Sequence, residues 1–368
     1  MTKTPTHTAE LVDLATRIGQ DIAEGHFAGA ALIATRSGKI VVEHYAGDAA
    51  PGLSAGRAVL WPIASISKTI SVSMILRLVE QGALTMNTLV SHVLPKFTRD
   101  GREAVRLRHL LTHTSGLIYE SPDMEARLAA QTPLTALVEE ALRAPLLFKP
   151  GTSFSYADYN TLIAGHMAEA VTGLPFAELV RTLVIEPMGL RDLYMPPPPL
   201  VHARIAKVQG VLAEGTPGAM YNSPYALGLA HPAFGTVASA RDLVRFAQHF
   251  APGGPRIHAE ATVQAMTRDQ AGGVRGQHIS LGGISPDTHI PWGFGWALQT
   301  HDTPCLFCDL ASPRTFGHGG ASGCQLLVDP EANVIVAILT NTHVRIGRDQ
   351  WYRRLQSLVN RAYVEACG

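Results

Sequence analysis

The sequence predicts an α/β protein of the α+β type, in which an antiparallel sheet is flanked by N- and C-terminal helices and carries an inserted, mostly helical lobe. Three observations predict this architecture: β-branched apolar runs near both ends of the chain, helical periodicity from residue 61 to about residue 190, and helical spacing at both termini. We expect residues 1–60 and 200–368 to form the sheet lobe, residues 61–199 to form the helical lobe, and the functional site to lie at their interface. The 368 residues suffice for two lobes, because one ordinary domain has about 150 residues.

The composition indicates a folded protein and argues against several kinds of partner. Hydrophobic residues make up 46% of the chain and charged residues 16%, which excludes a disordered chain. The 30 basic residues balance the 30 acidic ones, so no net positive charge would attract nucleic acid. Apolar runs stay far below the roughly 18 residues of a membrane-spanning helix, and the N-terminus lacks the pattern of a secretory signal. We therefore expect a cytoplasmic protein with no nucleic-acid or membrane partner, whose oligomeric state stays open.

The strands of the predicted sheet come from both ends of the chain. Gly29–Arg36 and residues 39–46 are apolar and β-branched, and the turn Ser37-Gly38 between them is a hairpin signal. Later runs, separated by turn residues, predict an antiparallel meander over residues 292–299, 314–318, 324–328 and 334–340. Helical spacing over residues 350–366 closes the chain and matches the amphipathic helix that ends near residue 24.

The middle of the chain is predicted to be helical. Apolar residues form one stripe between residues 66 and 81, and Gly82 follows as a helix-ending residue. A second long helix is predicted over residues 159–171, with Gly173 at its end. The four prolines at 196–199 predict an extended, non-helical connection, which marks the boundary between the lobes.

Ser65 and Lys68 form an S-x-x-K motif at the start of the first long helix. One helical turn separates them, so both side chains point to the same face. A serine needs a base within hydrogen-bond reach to act as a nucleophile, and a lysine desolvated by an apolar helix can lose its proton and serve. The spacing alone is weak, because a serine cap followed by an exposed lysine is common. The apolar surroundings of Lys68 predict burial and favour the functional interpretation.

Other signals in the sequence are weaker. Cys305 and Cys308 could form half a zinc site, but no second pair follows at metal spacing, so surface thiols are the preferred interpretation. His109 and His113 are four residues apart on a helical pattern, and we interpret them as structural. G-x-S-x-G, H-E-x-x-H and Walker motifs are absent from the sequence.

Four blocks of sequence agree in order with one known superfamily. Residues 61–68 read Trp-Pro-Ile-Ala-Ser-Ile-Ser-Lys, and residues 107–117 read Leu-Arg-His-Leu-Leu-Thr-His-Thr-Ser-Gly-Leu. Residues 150–158 read Pro-Gly-Thr-Ser-Phe-Ser-Tyr-Ala-Asp, and residues 318–320 read His-Gly-Gly. In these blocks the chain resembles the serine β-lactamase and penicillin-binding protein superfamily, with class C-like motifs, and is most similar to family VIII carboxylesterases. The resemblance runs from about residue 29 to about residue 341 and implies a β-lactamase/transpeptidase-like fold.

The resemblance also implies roles for individual residues. Ser65 would attack the acyl carbon, Lys68 and Tyr156 would transfer protons, and the backbone N–H groups of Ser65 and Ala321 would form the oxyanion hole. An ammonium beside Tyr156 would lower the pKa of its phenol, and which of Lys68 and Tyr156 takes the first proton stays open. This chemistry requires neither a metal nor an organic cofactor.

The residues expected to bind substrate depart from the family pattern at two positions. Asp158 stands where class C enzymes usually have asparagine, so an amide donor becomes an acceptor. His318 stands where a lysine would bind the carboxylate of a β-lactam or peptide. We assign Gly319 and Gly320, which follow His318, to the same substrate-binding strand, and Tyr119 to the mouth of the pocket.

We therefore predict a serine hydrolase that acts through an acyl-enzyme on a small-molecule ester or amide, most simply a carboxylesterase for small or medium acyl esters. A D-aminopeptidase, DD-peptidase or amidase with weak or no β-lactamase activity uses the same machinery, and so does an acyltransferase. A sensor that keeps the fold without turnover is the non-enzymatic alternative. The sequence leaves the physiological substrate, the acyl-chain length and the stereochemical preference open.

Overall fold

The computed structural model describes residues 13–280, 283–299, 307–346 and 348–368. The strands of the described residues are β1 (Gly29–Arg36), β2 (Lys39–Ala50), β3 (Leu53–Ser54), β4 (Trp61–Pro62), β5 (Phe154–Ser155), β6 (Leu193–Tyr194), β7 (Val237–Ala238), β8 (Arg275–Ser280), β9 (Gly283–His289), β10 (Ala297–Leu298), β11 (Phe316–Gly320), β12 (Cys324–Asp329) and β13 (Val334–Thr340). The α-helices are α1 (Leu14–Ala23), α2 (Ser67–Glu80), α3 (Val90–Val93), α4 (Leu107–Leu111), α5 (Met124–Ala129), α6 (Leu134–Ala141), α7 (Asp158–Thr172), α8 (Phe176–Val180), α9 (Pro224–Gly228), α10 (Ala240–Gln248), α11 (Glu260–Met266) and α12 (Arg348–Cys367). Short 3-10 turns lie at Ala64–Ile66, Arg102–Ala104 and Pro199–Arg204, and a π-helical turn lies at Arg181–Ile185.

A seven-stranded antiparallel sheet joins the two ends of the chain, as predicted. Its strand order is β10-β11-β12-β13-β1-β2-β3, so β1 pairs directly with β13. Alternate residues of β1 enter different hydrophobic clusters, because successive side chains in a strand point to opposite faces. Leu32 packs in a cluster with α1 and α12, whereas Ile33 packs in a cluster with α10 and the central helices. Both faces of the sheet are therefore covered by helices, which accounts for the uninterrupted apolar sequence of β1 and β13.

The two long helices predicted in the middle of the chain are present as α2 and α7. Both end before a glycine in the left-handed conformation, Gly82 at a φ of 78° and Gly173 at a φ of 71°, where a residue without Cβ carries no steric penalty. The start of α2 differs from the prediction, because a 3-10 turn over Ala64–Ile66 precedes the α-helix. Ser65 consequently lies in this turn and outside the regular helix.

Two segments differ from their sequence-based predictions. Residues 292–299 do not form a continuous strand, and only Ala297–Leu298 pairs in the sheet. A Cβ on Gly293 would lie 1.9 Å from the carbonyl oxygen of Met266, so close packing against the α11 end replaces strand pairing there. The proline run is extended only in part, because Pro199 begins a 3-10 turn, where its missing N–H is tolerated.

The division into lobes at residues 61 and 199 stays a prediction. The largest hydrophobic cluster joins residues of both predicted lobes, including Ile33 of β1, Ile70 of α2 and Leu243 of α10. In the described parts of the chain, every helix is too short or too polar to cross a membrane. Cys305 lies outside the described residues, whereas Cys308 is buried and Cys324 is a buried free thiol.

Buried histidines make the fold sensitive to acid. Burial lowers the pKa of His231 to about 3 and the pKa of His258 and His343 to about 4 each, against an ordinary value of 6.5. The unfolded chain therefore binds protons from about pH 6.5 downward while these folded-state histidines stay neutral. Their contribution to stability is complete above pH 6.5 and falls away between about pH 6.5 and pH 4, by up to about 2 kcal/mol per histidine at pH 5.

We expect the melting temperature to fall between pH 7.5 and pH 5, because the histidines of the unfolded chain take up protons in this range. Differential scanning fluorimetry at both pH values measures this fall. His258→Gln, whose side chain does not titrate, should show a smaller fall than the wild type. An equal fall in both proteins would contradict the assignment of this effect to His258.

Candidate active site

A strained turn presents the serine of the S-x-x-K motif. Ala64 adopts a φ of 46°, which is an uncommon conformation for a residue with a Cβ and is found at functional turns. The turn is held on one side by a hydrogen bond from the Ile63 N–H to the Thr236 carbonyl oxygen (3.1 Å). Ser65 retains 8% of its exposure, in contrast to the completely buried Ala64 and Ile66 beside it. Among these three residues, Ser65 alone keeps some exposure.

Lys68 is buried at the centre of the site, as its apolar surroundings predict. Its side chain retains 1% of its exposure, and its Nζ atom lies 3.0 Å from the Oγ of Ser65. The ammonium also donates to the Ala233 carbonyl oxygen at 3.2 Å. A carboxylate also contacts this ammonium. The Oδ1 of Asp158, at the start of α7, lies 2.6 Å from Nζ. This ion pair links the first turns of α2 and α7.

Lys68 is protonated in the structure, whereas the sequence predicted a lysine that loses its proton. Burial lowers the pKa of the amine, but the nearby Asp158 carboxylate and the Tyr156 phenol raise it, and the result lies above the ordinary value. From the sequence we expect Asp158 to bind substrate, and its contact with Lys68 has no sequence signal. The structure brings Asp158 against the ammonium, where it keeps Lys68 protonated.

Tyr156 lies between β5 and α7 and faces the same ammonium. The Nζ of Lys68 is 4.8 Å from the centroid of the Tyr156 ring. Burial raises the pKa of the phenol above its ordinary value, and the Lys68 ammonium opposes this rise only in part. The expected lowering of the Tyr156 pKa is therefore not found, and the phenol is protonated at neutral pH.

The end of β11 forms another wall of the site. A Cβ on Gly320 would lie 2.3 Å from the carbonyl oxygen of Ile63, so only a glycine permits the strand to approach the turn that carries Ser65. Ser322 strengthens this contact by donating its hydroxyl to the carbonyl oxygen of Pro62. Ala321, expected to contribute an oxyanion-hole N–H, is thereby placed beside the turn of Ser65.

Aromatic side chains surround Tyr156. The ring of Tyr119 stacks on it with centroids 6.1 Å apart, and the ring of His318 lies 6.0 Å away. His318 also contacts Trp292 edge to face, and its Nδ1 is 2.7 Å from the carbonyl oxygen of Gly319. Both aromatic residues that the sequence analysis assigned to substrate binding therefore lie beside Tyr156, and Gly319 follows on the same strand.

Sequence reasoning missed Glu120, a half-buried acid beside the site. Burial raises the pKa of its carboxyl to about 8, with a further increase from Asp158 and an opposing effect of Lys68. Its only sequence signal is its position directly after Tyr119. Glu120 is therefore largely protonated at neutral pH and adds little negative charge.

The histidine pair at 109 and 113 is bonded to backbone groups. The Nδ1 of His109 accepts the N–H of Arg106 at 3.2 Å, and the Nδ1 of His113 accepts the N–H of Ala157 at 3.2 Å. These contacts agree with the structural interpretation. Within the described ranges, the group of side chains with metal-ligand spacing is Asp21, Glu24 and His26, an arrangement common without an ion.

The chain is similar to known proteins over most of its length. The chain is 31% identical over 360 residues to Esterase EstB of Burkholderia gladioli, and the aligned region covers 88% of each protein. It is 26% identical over 318 residues to a Salmonella schwarzengrund protein named as an unproven D-alanyl-D-alanine carboxypeptidase, covering 77% of this chain and 69% of that protein. The structure of EstCE1, titled a hydrolase with promiscuous acyltransferase activity, aligns with a TM-score of 0.75 at 25% identity, over 94% of this chain and 98% of that chain.

Fold, site and relatives together define a serine hydrolase. The Beta-lactamase family model matches residues 14–359, and the chain belongs to this family.

Proposed function

We propose that the protein is a carboxylesterase for small or medium acyl esters that acts through an acyl-enzyme on Ser65. One observation carries the proposal: the Ser65 hydroxyl lies 3.0 Å from the Nζ of Lys68, which is itself held 2.6 Å from a buried carboxylate. The similarity to Esterase EstB supports an ester as substrate.

Acylation begins with attack of the Ser65 Oγ on the carbonyl carbon of the ester. The serine proton passes to the Nζ of Lys68 while Lys68 passes a proton to the Oδ1 of Asp158. This relay lets Lys68 act as a base although it rests as an ammonium. The oxyanion accepts hydrogen bonds from the backbone N–H groups of Ser65 and Ala321, which stabilise it in the transition state.

Tyr156 protonates the leaving group. Its raised pKa keeps the phenol protonated, so it can donate a proton to the alkoxide as the ester C–O bond breaks. The proton on Asp158 then returns to Tyr156 through Lys68. Water attacks the acyl-enzyme with the same groups in reverse, which releases the carboxylic acid and restores the Ser65 hydroxyl.

Ser65→Ala should remove ester turnover while Ser73→Ala, in the same helix, should not. Loss of a serine nucleophile costs at least about a thousandfold in kcat, whereas Ser73 only donates to the Thr69 carbonyl oxygen. Hydrolysis of p-nitrophenyl acetate measures both variants. A fluorophosphonate probe with peptide mass spectrometry should label Ser65 in the wild type; turnover retained by Ser65→Ala would overturn the assignment.

Asp158→Asn should change substrate preference as well as rate. Removal of the carboxylate eliminates the final proton acceptor, so we expect ester kcat to fall by about a hundredfold. The new amide group can donate to a substrate carbonyl, so the ratio of D-amino acid amide turnover to ester turnover should rise. Glu103→Gln neutralises an exposed carboxylate and serves as the control. Wild-type ester kcat in Asp158→Asn would exclude Asp158 as proton acceptor.

Gly320→Ala should impair catalysis through the position of β11. The added Cβ would meet the Ile63 carbonyl oxygen, so the strand must move away from Ser65 and the oxyanion hole must widen. We expect kcat to fall at least about tenfold. Gly19→Ala, where no atom lies within 4 Å of the added Cβ, is the matched control. Equal kcat in the two variants would show that the contact does not position the hole.

Two related activities have support among the relatives. A peptidase activity agrees with the similarity to the Salmonella protein, and acyl transfer agrees with the similarity to EstCE1. A panel of p-nitrophenyl esters, D-alanyl-D-alanine peptides and a chromogenic cephalosporin tests the first, and product analysis with added alcohol tests the second. Faster turnover of peptides than of esters, or transfer exceeding hydrolysis, would replace the carboxylesterase assignment.

We also propose a cytoplasmic location. The buried free thiol of Cys324 agrees with a reducing compartment. Fractionation of the source cells with detection of the native protein tests this location.

A further inference from the structure

His113 is bonded to the residues on both sides of Tyr156. Its carbonyl oxygen accepts the N–H of Ser155 at 2.9 Å, and its Nδ1 accepts the N–H of Ala157 at 3.2 Å. The backbone positions before and after Tyr156 are therefore fixed to one residue. Neither bond is part of a helix or of a strand ladder, so regular secondary structure does not explain them.

The imidazole ring of His113 also packs on the phenol ring of Tyr156. The two ring centroids are 4.5 Å apart, and the ring of Trp292 meets His113 edge to face at 5.0 Å. The ring of Tyr156 thus lies against His113 and against the ammonium of Lys68. Contacts of this kind restrict both the position and the rotamer of the phenol.

A chain of polar groups sets the tautomer of His113. Ser115 donates its hydroxyl to the Oδ1 of Asn160 at 2.5 Å, which turns the amide nitrogen of Asn160 towards His113. That nitrogen is 3.0 Å from the Nδ1 of His113, which also accepts the Ala157 N–H. Both neighbours are donors, so Nδ1 carries no proton and the imidazole accepts at this atom.

The backbone conformation of His113 makes the double contact possible. Its φ is 56°, in the left-handed region, where histidine, asparagine and aspartate are enriched among residues with a Cβ. This conformation lets the carbonyl oxygen and the side chain of one residue reach the same short segment. Asparagine can adopt it too and has an acceptor oxygen near the position of Nδ1.

From this arrangement we propose that His113 is a positioning residue for Tyr156, which fixes the phenol oxygen where it exchanges protons with the leaving group and Lys68. The inference rests on the proposed role of Tyr156 as proton donor. It assigns to His113 a part in the rate of the reaction beyond its part in stability.

A double-mutant cycle with Tyr156→Phe tests the proposal. His113→Phe keeps a ring but removes the Nδ1 acceptor, and we expect it to lower ester kcat by about ten- to a hundredfold with KM changed less than about threefold. In the Tyr156→Phe background it should lower kcat no further, because its effect acts through the phenol. An equal loss in both backgrounds would overturn the proposal.

His113→Asn provides the rescue. It keeps an acceptor and the left-handed backbone, so it should retain more of the wild-type kcat than His113→Phe at the same melting temperature. If the two variants have equal kcat, the Nδ1 acceptor is not what positions Tyr156 and the proposal fails.

Two further measurements keep the outcomes separate. If His113→Phe does not fold, Ser115→Ala enters the same cycle. Its severalfold loss of kcat should again vanish in the Tyr156→Phe background, and persistence of that loss would contradict the proposal.

If Tyr156→Phe alone keeps the wild-type kcat, the proposed role of Tyr156 has failed, and the positioning inference fails with it. Loss in Tyr156→Phe with an additive loss from His113→Phe leaves the proposed function intact and rejects only the positioning role.

Discussion

The arrangement of the site depends on one buried ion pair, between Lys68 and Asp158. An ammonium removed from water is costly by several kcal/mol unless an opposite charge and hydrogen bonds compensate it. Asp158 supplies the charge, and the Ser65 hydroxyl and the Ala233 carbonyl oxygen supply further contacts. The first turns of α2 and α7 must therefore stay at a fixed distance. The same pair holds the Nζ of Lys68 3.0 Å from the Ser65 hydroxyl, the proposed nucleophile, so one contact serves both stability and the proposed reaction.

Backbone constraints hold the remaining groups around this pair. Ala64 keeps its left-handed conformation because the flanking residues are tied to neighbouring segments, and Gly320 allows β11 to lie against Ile63. The strand belongs to a sheet whose central members are buried on both faces. The sheet therefore carries the wall beside Ser65 that is proposed to hold the oxyanion, while α2 and α7 carry Lys68 and Asp158.

Sequence patterns predicted the parts of this structure that local chemistry controls. Gly82 and Gly173 end helices because of their own conformational freedom, and β1 shows its burial in its apolar residues. The prediction of a continuous strand over residues 292–299 was wrong, because the backbone of Gly293 packs against the end of α11. A contact of this kind leaves no local signal in the sequence. The contact of Asp158 with Lys68 and that of His113 with residues 155 and 157 escaped prediction for the same reason: both join segments far apart in the sequence.

The charges around Ser65 also bear on substrate class. Lys68 is compensated by Asp158, and Glu120 is largely protonated because its carboxyl has a pKa of about 8. The ammonium of Lys68 is already paired with Asp158, which weakens its attraction for the carboxylate of an anionic substrate. Residue 318 is a histidine, whose imidazole does not provide the permanent positive charge of a lysine side chain. A neutral acyl ester needs only the oxyanion contacts for its carbonyl oxygen, and the aromatic side chains beside Tyr156 offer apolar surface to the rest of it. The electrostatics of the site thus favour neutral esters over β-lactams and peptides that end in a carboxylate.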